Sequence, residues 1–429
     1  MGLRALTTLD EARDLLRQGR LVEAERLYAK VLETFPHEVE ALNMVALAEL
    51  RQGRAPQALS LLERAALAAP RDPLTRHNLA RVHEAAGDLA AAIVSWQTAV
   101  QLQPDFFVAR LHLGAALERA GQASAALVQY SRTLKDAQSQ GRWTNSSTTP
   151  QGLRPMVERA VQVVRGGRRA LFFGLLEPLA QRYGRESMAR VEHCLRIYLG
   201  EQQGASTDPR QQPTFLFFPG LPPAAYLDRS LFPWIADFEA QTPAIGAELA
   251  ALLPSSRGRE RVFTTEELEQ QNLRGLDVPP SWNGYYFYRH GIRREDNCAA
   301  CPATARAIDT LPLCHVHEHG PEVLYSVFTP GTHLLPHKGV TNTRLVGHLP
   351  LIIPPDCALN VGGEVHVWQP GKVVVFDDTY EHEAWNRSQQ TRVVMIFDIW
   401  NPHLSEAERA AVADLVPAIG NFRKQLEAA

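Results

Sequence analysis

Two histidines and one arginine near the end of the chain have the residue types and spacing of a metal-dependent oxidation site. His337 and His382 lie 45 residues apart, and Arg392 follows the second histidine by ten residues. Imidazoles that two β-strands bring together can hold one divalent metal, and non-haem iron sites usually add a carboxylate on the same face. That carboxylate would stand two residues after the first histidine, where this chain has Gly339. The protein ligands that the pattern offers are therefore a histidine pair.

Arg392 opens an apolar run, RVVMIF, that is typical of a strand. A guanidinium group in such a run is expensive to bury unless an anion accompanies it. Its planar fork suits a dicarboxylic co-substrate such as 2-oxoglutarate. We therefore expect Arg392 to point into the same interior as the two histidines and to hold an oxoacid there.

Short apolar runs separated by turn residues must position these side chains. Runs at 349–353, 373–376 and 393–396 are broken by Pro-Pro, Gly-Gly and Pro-Gly pairs. This alternation predicts short antiparallel strands joined by tight turns. The last part of the chain holds about eight such strands, the number that a double-stranded β-helix, or jelly roll, requires.

Three stretches of this region resemble a known family of oxygenases. They read PGTHLLPHKGVTNTRLVGHLPLIIP, FDDTYEHEAWN and RVVMIFDIWNP, and the likeness extends back over residues 217–249 and 281–291. The stretches resemble the aspartyl/asparaginyl β-hydroxylases, which are 2-oxoglutarate oxygenases whose members also carry glycine at the position of Gly339 and bind iron through two histidines. The resemblance covers roughly the last half of the chain.

The resemblance implies a role for each matching residue. Fe(II) would be bound by His337 and His382, and O2 would be the second co-substrate. Arg392 and Ser326 would hold the distal carboxylate of 2-oxoglutarate, and His348 would lie near its other carboxylate.

On the substrate side, the resemblance implies that Arg344 faces a carboxylate of the substrate. Arg274 matches a second substrate-binding arginine of the family. Val346 replaces an arginine that helps to hold the oxoacid in some members. Asp377 and Asp378 are close to the metal and are expected to act as turn and supporting groups rather than as a third ligand.

Residues 1–138 repeat with a period of 34. The repeat places glycine at the same point of four units, at Gly19, Gly53, Gly87 and Gly121, and spaces alanines and prolines equally. This period, with glycine, alanine and proline at fixed points of each unit, predicts four tetratricopeptide repeats. Each repeat is a pair of antiparallel helices, and the repeats stack into a superhelix with a concave face. Such faces commonly bind extended peptides, so we expect a peptide or protein partner there, although the array could also serve only to pack against the rest of the chain.

Composition shifts predict the remaining domain boundaries. Residues 139–212 are expected to form a linker and a helical connector. A polar linker or loop is predicted from 135 to 153, and helices are predicted from 155 to 202. Residues 213–429 are expected to form the oxygenase domain. The predicted fold is therefore multidomain α + β, with a helical superhelix followed by a jelly roll and flanking helices.

Further elements are predicted inside the last domain. We expect aromatic strands at 214–220 and 285–288. A helix is predicted at 232–253 with a break at Pro243, and another at 266–274 capped by Thr264. A C-terminal helix is expected to begin with a capping box made by Ser405 and Glu408.

Three of the five cysteines form a separate cluster. Cys298 and Cys301 make a C-x-x-C pair, and Cys314 follows among three histidines. Spacing alone allows a zinc site or a redox pair. Relatives in the resembled family carry cysteines in this segment, generally without zinc, which favours free thiols near the site entrance. Spacing leaves the state of these three thiols open.

Charge and hydropathy exclude several classes of partner. The net charge of −3 offers no electrostatic case for nucleic acid, and no apolar run approaches the length of a membrane span. The chain is expected to be cytoplasmic, and its oligomeric state is open.

Members of the resembled family hydroxylate the β-carbon of Asp or Asn in protein loops, free or carrier-bound amino acids, or lipid acyl chains. The repeats favour a peptide or protein substrate here. The alternatives are a hydroxylase of a small molecule, carrier-bound amino acid or lipid, and a repeat scaffold with a catalytically inactive barrel.

Overall fold

The structure is a computed structural model that describes residues 3–255, 258–276 and 279–429. Its contacts divide the chain into two compact units, Met1–Arg168 with Phe422–Ala429, and Arg169–Asn421. The first unit is helical and the second combines antiparallel sheets with helices, so the predicted fold class is confirmed. The domain boundaries at residues 138 and 212 stay predictions.

The first unit is built from consecutive antiparallel helix pairs. Its helices are α1 Leu3–Arg17, α2 Leu21–Thr34, α3 Val39–Arg51, α4 Ala55–Ala68, α5 Pro73–Ala85, α6 Leu89–Leu102, α7 Phe107–Arg119, α8 Ala123–Ser139 and, after a 3₁₀ turn at Gln151–Leu153, α9 Arg154–Gly174, whose last residues belong to the second unit. Helix α8 runs five residues, 135–139, into the stretch that was predicted to be a loose linker.

The periodic residues explain why these pairs form. The four repeated glycines all have positive φ, between 74° and 83°, in the turn between the two helices of a pair. Only glycine adopts this left-handed conformation without strain. The repeated alanines are fully buried where helices cross, because a larger side chain would hold the helices apart (Ala12, Ala24, Ala46, Ala58, Ala80, Ala92 and Ala126).

The second unit surrounds its sheets with short helices. They are α10 Leu176–Tyr183, α11 Ala189–Tyr198, α12 Ile235–Ala240, α13 Thr242–Leu252, α14 Glu266–Asn272, α15 Glu295–Ala300, α16 Pro302–Ile308 and α17 Glu406–Ala428, with 3₁₀ turns at Arg185–Met188 and Arg229–Leu231. The predicted break near Pro243 is present, because that proline lies in the first turn of α13. Helix α17 continues into the residues that the contacts assign to the first unit.

Two of the predicted helix starts can be compared with the structure. Ser405 and Glu408 form the expected capping box, since the Ser405 amide donates to the Glu408 carboxylate at 2.8 Å and the Glu408 amide donates to the Ser405 hydroxyl at 3.3 Å. The cap of α14 is Thr265 rather than Thr264, because the hydroxyl of Thr265 accepts from the Leu268 amide. Helix α14 also ends earlier than predicted, at Asn272.

Twelve described strands form two antiparallel sheets. They are β1 Arg259–Arg261, β2 Leu273–Arg274, β3 Trp282–Arg289, β4 Ile292–Arg293, β5 Val323–Phe328, β6 His333–His337, β7 Arg344–Ile352, β8 Cys357–Val361, β9 Glu364–His366, β10 Val374–Phe376, β11 His382–Asn386 and β12 Arg392–Trp400. The larger sheet has the order β1-β3-β5-β12-β7-β10 with β4 on β3, and the smaller has the order β2-β6-β11-β8-β9.

The predicted strand at 214–220 is wrong. This aromatic segment makes only an isolated parallel bridge, from Leu216 to Thr341. Its amides donate instead to carbonyls and to the Asn342 side chain of the loop after β6. The segment therefore covers that loop without joining either sheet.

Two apolar cores lie on the two faces of the larger sheet. One packs that sheet against α12, α13 and α16, and includes Phe238, Ile245, Ile308 and Phe397. The other fills the space between the two sheets with side chains from both, including Phe328, Leu334, Val346, Leu359 and Phe376. The second core is interrupted by the polar residues described below, so the candidate site lies between the sheets.

All five cysteines are buried free thiols. Across residues 3–255, 258–276 and 279–429, no group of three His, Cys, Asp or Glu side chains is arranged to hold a metal ion. In the same residues, no helix has the length and apolarity that crossing a bilayer requires.

Gly114 and Gly166 provide a matched test of the repeat packing. A Cβ added to Gly114 on α7 would lie 2.7 Å from the ring of the fully buried Tyr130, whereas one added to Gly166 on α9 would meet nothing within 4 Å. Overpacking costs about 1–3 kcal/mol, more than the ~1 kcal/mol that alanine gains over glycine in a helix. We expect Gly114→Ala to destabilise the first unit and Gly166→Ala to leave it unchanged or more stable.

Thermal unfolding of the full chain, with hydrogen exchange followed in α7 and α8, measures this difference. Faster exchange in those two helices is expected for Gly114→Ala only. Equal exchange in the two variants would show that the Tyr130 ring moves aside at little cost.

Candidate active site

A cavity of about 310 Å³ lies between the two sheets and contains most of the residues singled out from the sequence. Its lining includes His337 on β6, His382 on β11, His348 and Arg344 on β7, and Ser326 and Arg392 on β5 and β12. Most of its remaining wall is apolar. The strands bring together six residues that are spread over 66 positions of the sequence.

The two histidines face each other because their strands pair. His382 lies opposite His337 in the β6–β11 register, and the ring centroids are 4.1 Å apart. The register shifts between His382 and Ala384, an irregularity of the kind that redirects side chains near functional sites. Both rings therefore point into the space between the sheets.

Hydrogen bonds fix the tautomer of each imidazole. Nδ1–H of His337 donates to the Leu335 carbonyl at 2.8 Å, and Nδ1–H of His382 donates to the Tyr380 carbonyl at 3.0 Å. Burial lowers the pKa of His337, and burial together with the neighbouring His337 lowers the pKa of His382 to about 3. Each ring is therefore neutral at pH 7 and presents the lone pair of Nε2, the form that binds a metal.

Asp378 fills the space that a third ligand at position 339 would need. A Cβ added to Gly339 would lie 2.1–2.3 Å from the carboxylate atoms of Asp378. The Gly339 amide also donates to the Asp378 carbonyl at 2.6 Å. Residue 339 must therefore be glycine as long as Asp378 keeps this position.

Arg392 is enclosed by aromatic rings at the other end of the cavity. The side chain is 1% exposed, and its guanidinium carbon lies 4.6 Å from the Phe328 ring centroid and 4.2 Å from that of Trp368. One nitrogen donates to the Ser326 hydroxyl at 3.2 Å, while Nε has no partner within the described residues. Burial lowers the pKa of Arg392 to about 9. A cation in this setting requires an anion to be stable.

His348 lies close to Arg392. It is 5% exposed, its ring lies 4.9 Å from that of Phe376, and its Nδ1 is buried without a partner among the described residues. Burial, and then the charge of Arg392, lowers its pKa well below the ordinary value. This end of the cavity thus holds two buried nitrogen atoms, Arg392 Nε and His348 Nδ1, that have no hydrogen-bond partner among the described residues.

Arg344 is in the cavity but already has two anionic partners. Its guanidinium contacts Asp378 at 2.8 Å and Asp398 at 2.6 Å. Burial opposes its charge, and the two carboxylates outweigh burial and raise its pKa. Burial raises the pKa of Asp378 to about 7, with Arg344 acting in the opposite direction. Arg344, which the resemblance expects to face a substrate carboxylate, is thus paired with two acids of the protein itself.

Arg274 does not join the other predicted site residues. It lies on β2 opposite His333, its side chain is exposed, and it donates to the carbonyls of Gln270 and Leu273 at 2.5 and 2.9 Å. It does not line the cavity. The helix that was predicted to include it ends two residues earlier.

Several residues of the site were missed by the sequence analysis. Trp368 lies against the Arg392 guanidinium, and Trp282 donates to the Ser326 hydroxyl at 2.9 Å. Asp398 stands alone as an acid in the apolar run of β12, and this isolation was the available signal for a buried ion pair. Glu322, beside Asp398, carries no distinctive pattern.

The residues present fit a divalent metal and a dicarboxylate. The metal is suited by two neutral imidazoles whose ring centroids lie 4.1 Å apart and whose Nδ1 atoms both donate to backbone carbonyls. The dicarboxylate is suited by a buried arginine with an unpartnered Nε and by the unpartnered Nδ1 of His348.

Comparison with known proteins gives a consistent result. The model of the family described as "Aspartyl/Asparaginyl beta-hydroxylase" matches residues 239–402, and the "Tetratricopeptide repeat" model matches residues 9–73 and 77–142. The rat "Aspartate beta-hydroxylase domain-containing protein 2" is 31% identical over 244 residues, which are 55% of this chain and 68% of the relative.

Two further relatives have different printed activities. The "Ornithine lipid ester-linked acyl 2-hydroxylase" of Rhizobium tropici is 36% identical over 191 residues, 44% of this chain and 64% of the relative. The human "Aspartyl/asparaginyl beta-hydroxylase" is 35% identical over 145 residues, 34% of this chain and 19% of that protein. The chain thus spans less than two thirds of either relative. On the family match and on the extent of the match to the rat protein, the chain belongs to the aspartyl/asparaginyl β-hydroxylase family, with tetratricopeptide repeats ahead of the family domain.

Proposed function

We propose that the protein is an Fe(II)- and 2-oxoglutarate-dependent dioxygenase that hydroxylates an unactivated C–H bond. The favoured substrate is the β-carbon of Asp or Asn in a peptide or protein. The observation that most supports this proposal is that two neutral imidazoles, with ring centroids 4.1 Å apart, share one cavity with the buried Arg392. A metal site without an anion site would fit many enzymes, whereas the combination favours an oxoacid-dependent oxygenase.

In this proposal, His337 and His382 hold the metal through Nε2. Arg392 and Ser326 hold the distal carboxylate of 2-oxoglutarate, and His348 donates toward its other carboxylate. The bound metal supplies the activation of O2, in which 2-oxoglutarate becomes succinate and CO2 while R–H becomes R–OH.

The chain's own residues orient the reactants and limit water. The Leu335 and Tyr380 carbonyls keep the imidazoles in one tautomer. Phe328 and Trp368 both lie against the buried guanidinium, so a carboxylate bound there is shielded from solvent. Charge–charge contacts are stronger in such a water-poor setting.

The repeats support a peptide or protein as the substrate. Four helix pairs that stack in register present a concave surface of the kind that binds extended chains. In the proposal, this face recruits the protein that carries the reacting residue.

A lipid or other apolar substrate is the second candidate. Most of the cavity wall is apolar, including Leu324, Val346 and Ile396. The Rhizobium relative is also named as a lipid acyl hydroxylase. In this alternative the repeats serve assembly.

Metal binding tests the histidine pair. His382→Ala, reconstituted with Fe(II) under anaerobic conditions, is expected to lose the metal that the wild-type chain retains, because one imidazole cannot replace a facing pair. Elemental analysis after gel filtration measures the iron. His333→Ala is the control, since His333 lies on β6, the strand of His337, but bonds Glu383 and does not line the cavity. Wild-type iron content in His382→Ala would overturn the ligand assignment.

Affinity for 2-oxoglutarate tests the arginine. Arg392→Lys keeps the charge but loses the planar fork, and we expect its Kd for 2-oxoglutarate to rise at least tenfold, about 1.4 kcal/mol. Calorimetric titration of Mn(II)-loaded protein gives this Kd without turnover. Arg387→Lys is the control, because Arg387 is half exposed and lies over Trp385 on the surface. An unchanged Kd in Arg392→Lys would place the oxoacid elsewhere.

Product analysis tests the substrate. Wild-type chain with Fe(II), 2-oxoglutarate and O2 is expected to form succinate faster with an Asp- and Asn-containing peptide library, and to add one oxygen to some members. Mass spectrometry of the peptides detects the gain. Succinate formation with an oxygenated ornithine lipid instead would favour the second candidate, and no turnover with any substrate would leave a scaffold.

A further inference from the structure

The third and fourth helix pairs carry an aromatic and polar cluster that the candidate active site does not use. Helices α5 and α7, the first helices of these pairs, bring His77 and His112 together with ring centroids 5.4 Å apart. Trp96, on α6, stacks on His112 at 5.4 Å, and Phe106, just before α7, lies 5.1 Å from His77. We term these four side chains the repeat cluster.

His77 presents a hydrogen-bond donor whose position is fixed. The residue is 6% exposed, and its Nδ1 accepts from the indole N–H of Trp96 at 3.1 Å. Burial, and then His112, lowers the pKa of His77 to about 3, so the ring is neutral at pH 7. A neutral imidazole that accepts at Nδ1 carries its proton on Nε2. Among the residues that the structure describes, this Nε2–H group has no acceptor.

Arg81 lies one helical turn after His77 on α5. Side chains four residues apart on a helix are neighbours, with about 5–6 Å between their Cβ atoms. Burial is the main cause of the low pKa of both histidines of the repeat cluster, and the charge of Arg81 adds to it. Arg81 is itself half-buried, and it makes no hydrogen bond or ion pair with the other residues described.

The charges around Arg81 do not neutralise it. Arg51 forms an ion pair with Glu25. Arg119 forms one with Glu84, the carboxylate that also attracts Arg81 from a greater distance. Arg51 repels Arg81. One acid thus serves two arginines, so this part of the repeats keeps an excess positive charge.

Both donors are open to a ligand. Nε2 of His77 and the guanidinium nitrogens of Arg81 keep contact with solvent, unlike the fully enclosed Nε of Arg110 on α7. The rings of the repeat cluster form an apolar wall beside them, and a charge contact is stronger where water is partly excluded. The arrangement is therefore a preformed site for one anionic group.

We infer that the repeats bind a peptide through one of its acidic side chains, whose carboxylate accepts from His77 Nε2–H and from the Arg81 guanidinium. This inference rests on the recruitment of a peptide by the repeats in the proposed function, and it names the chemistry of that recruitment. A carboxylate has acceptor sites for both donors, and it supplies the anion that Arg81 lacks.

Other ligands fit these donors less well. An amide or a hydroxyl could accept from them but would leave the charge of Arg81 unmatched, and hydrogen bonds to a charged acceptor are roughly twice as strong. A nucleic acid needs many cations along its backbone, whereas this chain has a net charge of −3. A single carboxylate matches a single unpaired arginine.

Selection from a library of random peptides of about twelve residues supplies the probe. The library is presented to the full chain without metal or 2-oxoglutarate, and the selected peptides are expected to share Asp or Glu at one position. The same selection with Arg81→Gln is expected to lose them. Selected peptides without a shared acid, no enrichment at all, or the same peptides with Arg81→Gln would each overturn the inference.

A double-mutant cycle then tests the contact itself. The best selected peptide is compared, by fluorescence anisotropy, with a counterpart in which the shared acid is replaced by its amide. The wild-type chain is expected to bind the amide peptide at least tenfold more weakly, and Arg81→Gln is expected to weaken the acidic peptide by a similar factor while leaving the amide peptide nearly unchanged. Equal losses for the two peptides would contradict a pairing of the acid with Arg81.

Arg71→Gln is the matched control for charge. It removes one positive charge from an exposed residue ten positions before Arg81, in the turn ahead of α5. Its affinity for the acidic peptide is expected to stay within twofold of the wild-type value, and a tenfold loss would make the effect one of overall charge and overturn the inference. Arg81→Gln is expected to keep the wild-type Tm, because Arg81 has no ion pair in the described structure to lose.

Turnover separates this inference from the proposed function. A peptide that carries both the selected acid and an Asn or Asp target is expected to show a KM at least tenfold higher with Arg81→Gln than with Arg71→Gln. Binding of the peptide without hydroxylation keeps the inference, and the proposed function fails. Hydroxylation with equal KM and equal Kd in the two variants keeps the hydroxylase and overturns the inference.

Discussion

The candidate site depends on the antiparallel pairing of β6 with β11, which brings His337 opposite His382. That register would be of little use if either ring could rotate, and each ring is held by a hydrogen bond from its Nδ1 to the carbonyl two residues earlier in its own chain segment. The backbone thus sets both the position and the protonation of the imidazoles. Because the bonds are local, strand pairing is the only long-range condition that the pair needs.

Charge burial distinguishes the two ends of the cavity. At one end, Arg392 lies against two aromatic rings and has no carboxylate partner among the described residues. Its buried positive charge is therefore not neutralised by the protein. At the other end, Arg344 forms ion pairs with two carboxylates, those of Asp378 and Asp398. The pair of histidines lies between the end that holds Arg392 and the end that holds the ion-paired Arg344. Under the proposed function, this asymmetry gives a dicarboxylic co-substrate a preferred direction of binding.

Much of this arrangement was predictable from the sequence, and the exceptions have physical reasons. The repeats were clear because a fixed period places glycine at every turn that needs positive φ. The two histidines and Arg392 were singled out because a stretch that resembles the family surrounds each of them, and Ser326 because it matches a family residue one strand before His337. The partners of Arg344 were not found, since Asp378 and Asp398 lie 34 and 54 residues away and pairing across strands leaves no local signal. The aromatic segment at 214–220 was assigned to a strand because composition cannot distinguish a strand that pairs in a sheet from an extended segment that packs over a loop.

Gly339 has a consequence for how such a site can change. Replacing it with aspartate would restore the usual three-ligand arrangement on paper, but the new side chain would enter the volume of the Asp378 carboxylate. Removing Asp378 alone would leave Arg344 with one partner and the histidines without a nearby acid. Each single substitution is therefore unfavourable, and only the double change is compatible with the packing. The packing of Gly339 against Asp378 therefore couples the two positions, so that a carboxylate could replace the glycine only if both residues changed together.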